Sequence, residues 1–319
     1  MTLRLGSGGK PLSIAKLPSE TYKFKVPTVC VTGGKGGTGK STIAVNLAVF
    51  FTLLGKKVLL ADCDVDAPNI AILLNANLGS REEVHQFIPQ FELDKCIKCG
   101  RCAEVCRSHA ILHVKNSFPI FFKNLCTGCE ACKLVCKPQA IQEGYKVIGW
   151  TSIGSAYNID IVSGELKLKE AESAAVVIAA KERIQKILET NKYDLVIIDT
   201  APGAHCDVAR SMLGSDIALA VTEPTPFGAH DLDLILKLAE RINVEMKVVL
   251  NRSNLLENHD LIEEICKKHS TDIIAKIPLD NSILRSYVKG RPILLDNSDS
   301  PGAKALIKLG EKIKGVLGI

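Results

Sequence analysis

A glycine-rich stretch near the amino end, residues 33–42, has the residue types that bind phosphate. Gly34, Gly39, Lys40 and Ser41 match the spacing Gly-x-x-x-x-Gly-Lys-Ser/Thr. Glycines let the backbone approach an anion closely, and free amides at a helix start point toward it. The motif predicts that Lys40 contacts the β-phosphate of ATP or ADP and the γ-phosphate of ATP, and that the Ser41 hydroxyl binds Mg²⁺. The predicted nucleotide-binding residues of this loop are Gly34, Lys35, Gly36, Gly37, Thr38, Gly39, Lys40, Ser41 and Thr42.

Carboxylates follow two apolar runs that have the composition of buried strands. Asp62 and Asp64 come after residues 57–61, and Asp199 ends residues 193–199. Ligands bind at the carboxyl ends of parallel strands. We therefore predict that Asp199 holds Mg²⁺ through water and that Asp62 and Asp64 orient Mg²⁺ and the attacking water. The alternatives are a solvated acidic turn for the first pair and an unrelated buried strand for Asp199.

Eight of the twelve cysteines form two runs with one spacing, C-x2-C-x2-C-x3-C, at residues 96–106 and 126–136. This spacing resembles the bacterial two-cluster ferredoxin run, in which the fourth cysteine of each run ligates the other cluster. The resemblance implies two 4Fe-4S clusters. Cluster one is assigned Cys96, Cys99, Cys102 and Cys136, and cluster two is assigned Cys126, Cys129, Cys132 and Cys106. Zinc bound by C-x2-C pairs is the alternative. The proline that normally follows the fourth cysteine is missing after Cys106.

The elements that must position these residues divide the chain into three parts. Residues 26–31 are an apolar run that leads into the loop, and Ser41 onward has apolar positions near helical spacing. The cysteine-rich stretch interrupts this pattern, which resumes after Tyr145. We predict an N-terminal extension at residues 1–25, a nucleotide-binding domain at 26–80 and 146–319, and an inserted ferredoxin domain at 81–145. Residues 147–168 are expected to form short strands and turns, and the basic stretch 304–319 a packed last helix.

The composition limits which partners and which cellular compartment are expected. The chain has 319 residues, a formal charge of +5, one Trp and five Tyr. Each four-iron cluster with its thiolates carries about −2 when oxidised, which brings the total to about +1. No strong electrostatic attraction to nucleic acid is therefore expected. Twelve cysteines without a signal peptide or a spanning apolar run predict a reducing, cytoplasmic location, with no transmembrane segment.

The extra lysine in the loop, Lys35, makes the stretch resemble the deviant Walker A loop of the MinD/ParA/Mrp family. That resemblance implies a doubly wound, mainly parallel α/β fold of the P-loop NTPase type, interrupted by the ferredoxin module. It also implies an ATP sandwich dimer in which Lys35 reaches the partner's nucleotide, although a solvated loop lysine is the alternative. It implies that Asn251 recognises adenine, with a simple Asn turn as the alternative, and that a loop with Pro278 and Asp280 flanks the nucleotide. Arg252, next to Asn251, is a further predicted nucleotide-binding residue.

The nucleotide motif and the cysteine runs together predict a Mg-dependent ATPase whose dimer couples nucleotide state to electron transfer through two 4Fe-4S clusters. Lys35, Lys40, Asp62, Asp64 and Asp199 are the predicted catalytic residues. The expected partners are a second copy or a related ATPase, and a redox protein or an apo-metalloprotein acceptor. An Mrp-like scaffold for iron-sulfur or other metal centres is the alternative, and a MinD/ParA-like spatial organiser is a third candidate. Membrane-surface contact is not expected, and a bridging-cluster role for Cys206 is disfavoured because no companion cysteine lies between Cys136 and Cys206.

Overall fold

The computed structural model describes residues 23–256 and 259–319, together with the backbone of two short strands before them. Most of the predicted extension at residues 1–25 lies outside the described residues. The chain divides into two compact units. The larger unit comprises residues 18–81, 151–165 and 177–319, and the smaller unit comprises residues 1–17, 82–150 and 166–176. Among the described residues, the chain passes from one unit to the other within three strands, two of them long, and one helix.

The elements are numbered in chain order. The strands are β1 (Thr2–Leu5), β2 (Leu12–Ser13), β3 (Thr28–Thr32), β4 (Val58–Cys63), β5 (Leu78–Phe91), β6 (Ile111–Leu112), β7 (Ile120–Phe121), β8 (Ile141–Ala156), β9 (Ile159–Leu166), β10 (Leu195–Thr200), β11 (Ile217–Thr222), β12 (Met246–Asn251) and β13 (Ile273–Ile277). The helices are α1 (Lys40–Leu53), α2 (Ile70–Leu73), α3 (Arg101–Glu104), α4 (Ala131–Leu134), α5 (Ser173–Thr190), α6 (Cys206–Met212), α7 (Pro226–Ile242), α8 (Asp260–Lys268), α9 (Asn281–Val288), α10 (Ile293–Asp296) and α11 (Pro301–Leu317). No helix in the described ranges combines the length and the apolar character needed to cross a bilayer.

The larger unit is built on parallel strands. In its described part seven strands pair in parallel, in the order β13, β12, β11, β3, β10, β4, β9. Every residue of β10 is buried, which matches the continuous apolar run expected of a strand covered on both faces. One face packs against α1 and α11, and α6 packs against β3 and β10. The predicted mainly parallel α/β fold is confirmed.

A hairpin in the larger unit differs from the expectation for residues 147–168. Instead of short strands and turns, β8 and β9 are long neighbouring strands joined by two residues, Tyr157 and Asn158. Both joining residues have positive φ, 52° and 61°. This is the backbone of a two-residue type I′ turn. The sequence Tyr-Asn lacks the glycine that usually signals such a turn, so the hairpin was missed.

The last helix, α11, is packed as predicted. Leu306, Leu309 and Ile313 are buried in the same core cluster as α1. Gly310 lies against α1, where an added Cβ would be 2.4 Å from Cδ1 of Phe50. The absence of a side chain at Gly310 therefore allows the two helices to approach closely, although glycine weakens an isolated helix.

We expect Gly310→Ala to lower the unfolding free energy by about 1–3 kcal/mol, because the new methyl group overpacks against the Phe50 ring. Gly315→Ala is the matched control in the same helix, since a Cβ at Gly315 would meet no described atom within 4 Å. It should stabilise by up to about 1 kcal/mol through helix propensity. Urea denaturation of both variants measures the difference, and equal effects would contradict the packing argument.

The smaller unit repeats one pattern. The short helices α3 and α4 each begin after a residue in the left-handed region, Gly100 (φ 77°) and Glu130 (φ 60°). Strands β6 and β7 pair antiparallel. A small core of Phe87, Ile111, Cys132 and Ile141 is extended by half-buried neighbours. Those neighbours include Cys102, Cys106 and Cys136, so cysteines from both runs contribute to one core.

Candidate functional site

The glycine loop connects β3 to α1. Gly39 has φ 97° and Gly37 has φ 79°, values that side-chain-bearing residues rarely adopt. Two other loop glycines are needed for close approach. A Cβ on Gly33 would lie 2.5 Å from the Val221 carbonyl oxygen, and one on Gly34 would lie 2.5 Å from Cβ of Asp231. The loop therefore has the compact backbone that a phosphate-binding loop requires.

The two loop lysines differ in exposure. Lys40 is buried, with only 6% of its surface exposed, and its ammonium donates to the Lys35 carbonyl oxygen at 3.1 Å. Burial lowers the pKa of Lys40, and the nearby carboxylates of Asp199 and Asp64 oppose that shift. The side chain of Lys35 is exposed. Lys40 is thus held inside the loop, whereas Lys35 is available to a group outside it.

The predicted carboxylates lie on neighbouring strands. Asp199 on β10 pairs in register with Asp62 on β4 and with Val31 on β3. The Asp62 carboxylate accepts hydrogen bonds from the Asn69 amide at 2.8 Å and the Ile70 amide at 2.9 Å. Burial and the nearby Asp64 raise the pKa of Asp62 to about 7, against those hydrogen bonds. Burial raises the pKa of Asp64 to about 6, although Lys40 opposes it.

Asp199 is the most perturbed of the three. It is fully buried, and no hydrogen bond of ordinary geometry reaches either carboxylate oxygen from the described residues, although the Ser41 hydroxyl lies close enough to interact. Burial, followed by Asp62, raises its pKa, while the Ser41 hydroxyl lowers it. A buried carboxylate with both oxygens free fits a divalent cation, and Ser41 offers a further oxygen beside it. Mg²⁺ is usually held by one or two carboxylates together with phosphates and water, so the donor set fits Mg²⁺.

Asp199→Asn is expected to stabilise the Mg-free protein by about 1–3 kcal/mol, because it replaces an unpartnered buried carboxylate by a neutral group of the same shape. The same change should abolish the rise in melting temperature that Mg-ADP produces in the wild type. Thermal denaturation with and without Mg-ADP tests both effects. A buried asparagine elsewhere cannot serve as a control for the change of charge: Asn46→Asp would break hydrogen bonds, because the Asn46 side chain donates to the Thr42 carbonyl oxygen and accepts from the Leu294 amide. A variant that loses apo stability and keeps the Mg-ADP shift would contradict this role.

The raised pKa of Asp62 predicts the pH dependence of the Mg-free protein. The folded state binds the proton more tightly than the unfolded state, whose carboxyl has the ordinary pKa of 3.8. The stability linked to this proton is therefore complete below about pH 4 and is lost as pH rises through about 7. Denaturation between about pH 4 and about pH 8 should show that fall. Asp62→Asn should make it shallower, and an unchanged slope would contradict the prediction.

A cavity of about 450 Å³ joins the loop to the predicted base-binding residues. Its volume is that of a site for a drug-sized ligand. The predicted residues that line it are Gly36, Gly37, Gly39, Lys40, Ser41, Thr42, Asp64, Asn251, Arg252, Pro278 and Asp280. Its opposite side is apolar and includes Leu284 and Tyr287 of α9, which the sequence analysis missed. An aromatic helix residue far along the chain carries no local signal of such a position.

The four residues at the base end have other contacts as well. The Asn251 amide donates to the Thr38 carbonyl oxygen at 2.7 Å, so it supports the loop directly. Arg252 forms an ion pair with Glu223. Asp280 accepts from the Ser282 and Gly302 amides at 2.7 and 2.8 Å. The Asp280 carboxylate is therefore used in capping α9 and positioning α11.

The cysteines of the smaller unit line two separate cavities. One cavity is lined by Cys96, Cys99, Cys102 and Cys136. The other is lined by Cys106, Cys126, Cys129 and Cys132. These are the two crossed sets predicted from the spacing. All eight are free thiols. Burial, then Cys126, raises the pKa of Cys132 to about 12, so a thiolate there requires a positive partner.

No group of three or more His, Cys, Asp or Glu residues is placed to hold a single metal ion in the parts of the chain that the structure describes. Cys206 begins α6 and is exposed, and Cys30 and Cys63 are buried in the larger unit.

Comparison with known proteins supports the site in the larger unit. Residues 29–293 match the family model of the CobQ/CobB/MinD/ParA nucleotide binding domain. Uncharacterized protein MJ0579 of Methanocaldococcus jannaschii is 35% identical over 84% of this chain and 92% of its own length. The iron-sulfur cluster carrier protein of Pyrococcus abyssi is 24% identical over 97% of this chain and 92% of its own.

A solved structure shares the fold. The septum site-determining protein MinD of Pyrococcus horikoshii, complexed with Mg-ADP, superposes with a TM-score of 0.58 at 20% identity. The superposition covers 92% of this chain and 98% of that one. The family match spans most of the chain and includes the loop, both carboxylate strands and the base-end residues, and the chain therefore belongs to the CobQ/CobB/MinD/ParA family of nucleotide-binding proteins.

Proposed function

We propose that the protein is a Mg-dependent ATPase that couples its nucleotide state to electron transfer through two 4Fe-4S clusters held by the smaller unit. The observation that carries the proposal is the pair of cavities, each lined by one of the two crossed cysteine sets. The ATPase part of the proposal rests on the family membership and on the glycine loop. The cluster part rests on the eight cysteines of the smaller unit. The insert proposed at residues 81–145 corresponds to the cysteine-rich part of the chain.

In the larger unit the residues divide the work of ATP hydrolysis. The loop amides and Lys40 would hold the β- and γ-phosphates, where developing charge is stabilised. Ser41 and Asp199 would hold Mg²⁺, and Asp62 and Asp64 would orient the water. A relative of similar fold is solved with Mg-ADP. The apolar side of the cavity, with Leu284 and Tyr287, would cover the base.

In the smaller unit the donor set fits a 4Fe-4S cube better than a single ion. Each of the four irons takes one thiolate, so the cysteines surround a volume and do not meet at a point. That arrangement agrees with two cysteine-lined cavities and with the lack of an ion-sized ligand group among the described residues. When bound, such clusters supply one-electron redox chemistry. The residues of the chain would hold them, shield them and set their potentials.

The path of the chain supports a coupling between the two sites. Asp62 is bonded to the amides at the start of α2, and β5 begins shortly after α2 ends. Arg183 of α5 holds both connecting strands by donating to the Ser80 hydroxyl at 2.9 Å and the Thr151 hydroxyl at 3.0 Å. A change at Asp62 on nucleotide binding would thus be transmitted to the first of these strands. Segments ordered by the γ-phosphate are a common switching element.

The exposed Lys35 supports a dimer in which this side chain reaches the nucleotide of a second subunit, either a second copy or a related ATPase. The electron partner would be a redox protein. Neutralising Lys98 and Arg101, both exposed beside the first cysteine run, is expected to slow encounter with an acidic partner at low salt.

A second candidate function is a scaffold for assembling metal centres. The similarity to the iron-sulfur cluster carrier of Pyrococcus abyssi favours it. The two readings differ in what leaves the protein. A carrier transfers iron to an apo-acceptor, whereas an electron carrier keeps its iron and changes only its redox state. Mixing iron-57-labelled holo-protein with an apo-ferredoxin and measuring label in the acceptor distinguishes them. A MinD/ParA-like organiser is a weaker candidate, because it assigns no role to the cysteine cavities.

The proposal is tested by anaerobic reconstitution of the full chain, followed by iron and sulfide analysis and ATPase assays. Two 4Fe-4S clusters correspond to about eight irons per chain. We expect that content together with Mg-dependent ATP hydrolysis. One tightly bound zinc per set of four cysteines, with no sulfide, would overturn the assignment of iron-sulfur clusters and leave the ATPase assignment standing.

A further inference from the structure

One histidine of the smaller unit shares a cavity with a cysteine set. His113 follows β6 and lines the cavity of Cys96, Cys99, Cys102 and Cys136. Its Nε2 atom is buried and has no hydrogen-bond partner among the described residues. Leaving a buried polar group unpaired is unfavourable. An acceptor inside the cavity would remove that cost.

The position of the ring depends on Gly100. A Cβ at Gly100 would lie 2.7 Å from Nδ1 and 3.0 Å from Cε1 of His113. Gly100 also has φ 77°, so two independent constraints exclude a larger residue there. The Nδ1 edge of the ring is packed against Gly100. The ring is therefore fixed against the turn between Cys99 and Cys102, and its other nitrogen is the one left for the cavity.

Among the described residues, the second cysteine-lined cavity has no equivalent of His113. The two cysteine runs are offset by thirty positions, and this offset places Glu143 opposite His113 in the repeat. Glu143 pairs with the Lys133 ammonium and accepts from the Tyr145 hydroxyl. No histidine is among the residues that line the second cavity within the described chain. The Ser108 hydroxyl there lies 3.6 Å from Sγ of Cys106, and it would be the donor if Cys106 is a thiolate.

We propose that Nε2 of His113 donates a hydrogen bond to a sulfur of the cluster held by the first cavity and raises the reduction potential of that cluster. The inference rests on the proposed function and adds a residue that makes the two clusters unequal. Reduction places an additional electron on the cluster and increases the negative charge on its sulfurs. A fixed donor stabilises that charge, and hydrogen bonds to the sulfurs are a recognised determinant of cluster potential.

The test is a redox titration of the reconstituted full chain followed by electron paramagnetic resonance. Single-cluster backgrounds, Cys99→Ala and Cys129→Ala, assign the two reduction steps. In the Cys129→Ala background, His113→Leu is expected to lower the ratio of reduced to oxidised cluster about tenfold at the unsubstituted midpoint, a shift of about −59 mV for one electron. His113→Gln, which keeps a donor, should recover part of the shift. Ser108→Ala is the matched change in the second cavity and should lower only the step that remains in Cys99→Ala.

The outcomes separate this inference from the proposed function. A shift confined to the step of the first cavity, with partial recovery by glutamine, supports it. Unchanged potentials in His113→Leu, or equal shifts of both steps, overturn it while the clusters themselves stand. Absence of iron and sulfide from the reconstituted wild type overturns the proposed function and this inference together. If His113→Leu fails to fold, His113→Phe, which keeps an aromatic ring and lacks a donor, is measured in the same background, and an unchanged potential in that variant overturns the inference.

Discussion

Lys40→Met is expected to reduce ATP turnover by about 10²–10³-fold, the loss typical when one preorganised donor to developing charge is removed. The effect should not come from unfolding. Lys40 is buried at an energetic cost, with its pKa lowered by burial, and its observed hydrogen bond is to the Lys35 carbonyl oxygen. Methionine keeps the apolar stem and removes the buried charge. The Mg-free variant should therefore be at least as stable as the wild type in urea denaturation.

Lys35→Ala is the matched control within the same loop. The side chain of Lys35 is exposed and only its carbonyl contacts Lys40, so ATP binding to one chain should be retained. Turnover should become independent of protein concentration if Lys35 acts across a dimer. Steady-state ATPase assays over a range of protein concentrations, together with binding of a fluorescent ATP analogue, separate the two lysines. Equal loss of nucleotide binding in both variants would contradict the assignment of Lys40 to the phosphates.

The second large effect concerns the crossed cysteines. Cys136→Ala is expected to remove the cluster of the first cavity, although Cys136 belongs to the second run, because it lines the cavity of Cys96, Cys99 and Cys102. Iron content should fall from about eight to about four per chain. Cys106→Ala should remove the other cluster for the same reason, since Cys106 lines the cavity of the second run.

Double variants give the sharper comparison. Cys99→Ala with Cys136→Ala affects one cavity, and about four irons should remain. Cys129→Ala with Cys136→Ala affects both cavities, and no intact cluster should remain. If each run ligated its own cluster, these two results would be exchanged. Iron analysis and electron paramagnetic resonance of the reduced proteins therefore test the crossing directly, independently of any activity.

The sequence was sufficient where a motif is local. The loop at Gly34 to Ser41 has a spacing that few other structures require, and the apolar run ending at Asp199 indicates a buried strand. The crossed cysteine sets were implied by the resemblance of the two runs to two-cluster ferredoxins. These features depend on short stretches of chain, for which the backbone geometry is set by neighbouring residues.

What depends on distant packing was not predictable in the same way. The register that places Asp199 beside Asp62 arises from strand pairing over more than a hundred residues. The position of Tyr287 in the nucleotide cavity depends on how α9 packs. The hairpin turn at Tyr157 and Asn158 has positive φ values without a glycine. The buried Nε2 of His113 becomes visible only when Gly100 and the first cysteine run are brought together.

In the proposed function the nucleotide and cluster sites are energetically coupled. The most direct test is an anaerobic redox titration of the reconstituted protein, monitored by electron paramagnetic resonance, without nucleotide and with a non-hydrolysable ATP analogue and Mg²⁺. We predict a shift in at least one cluster potential, and by linkage a matching change in affinity for the analogue on reduction. Lys40→Met should abolish the shift while retaining both clusters. Identical potentials in the presence and absence of the analogue, at saturating nucleotide, would contradict the coupling.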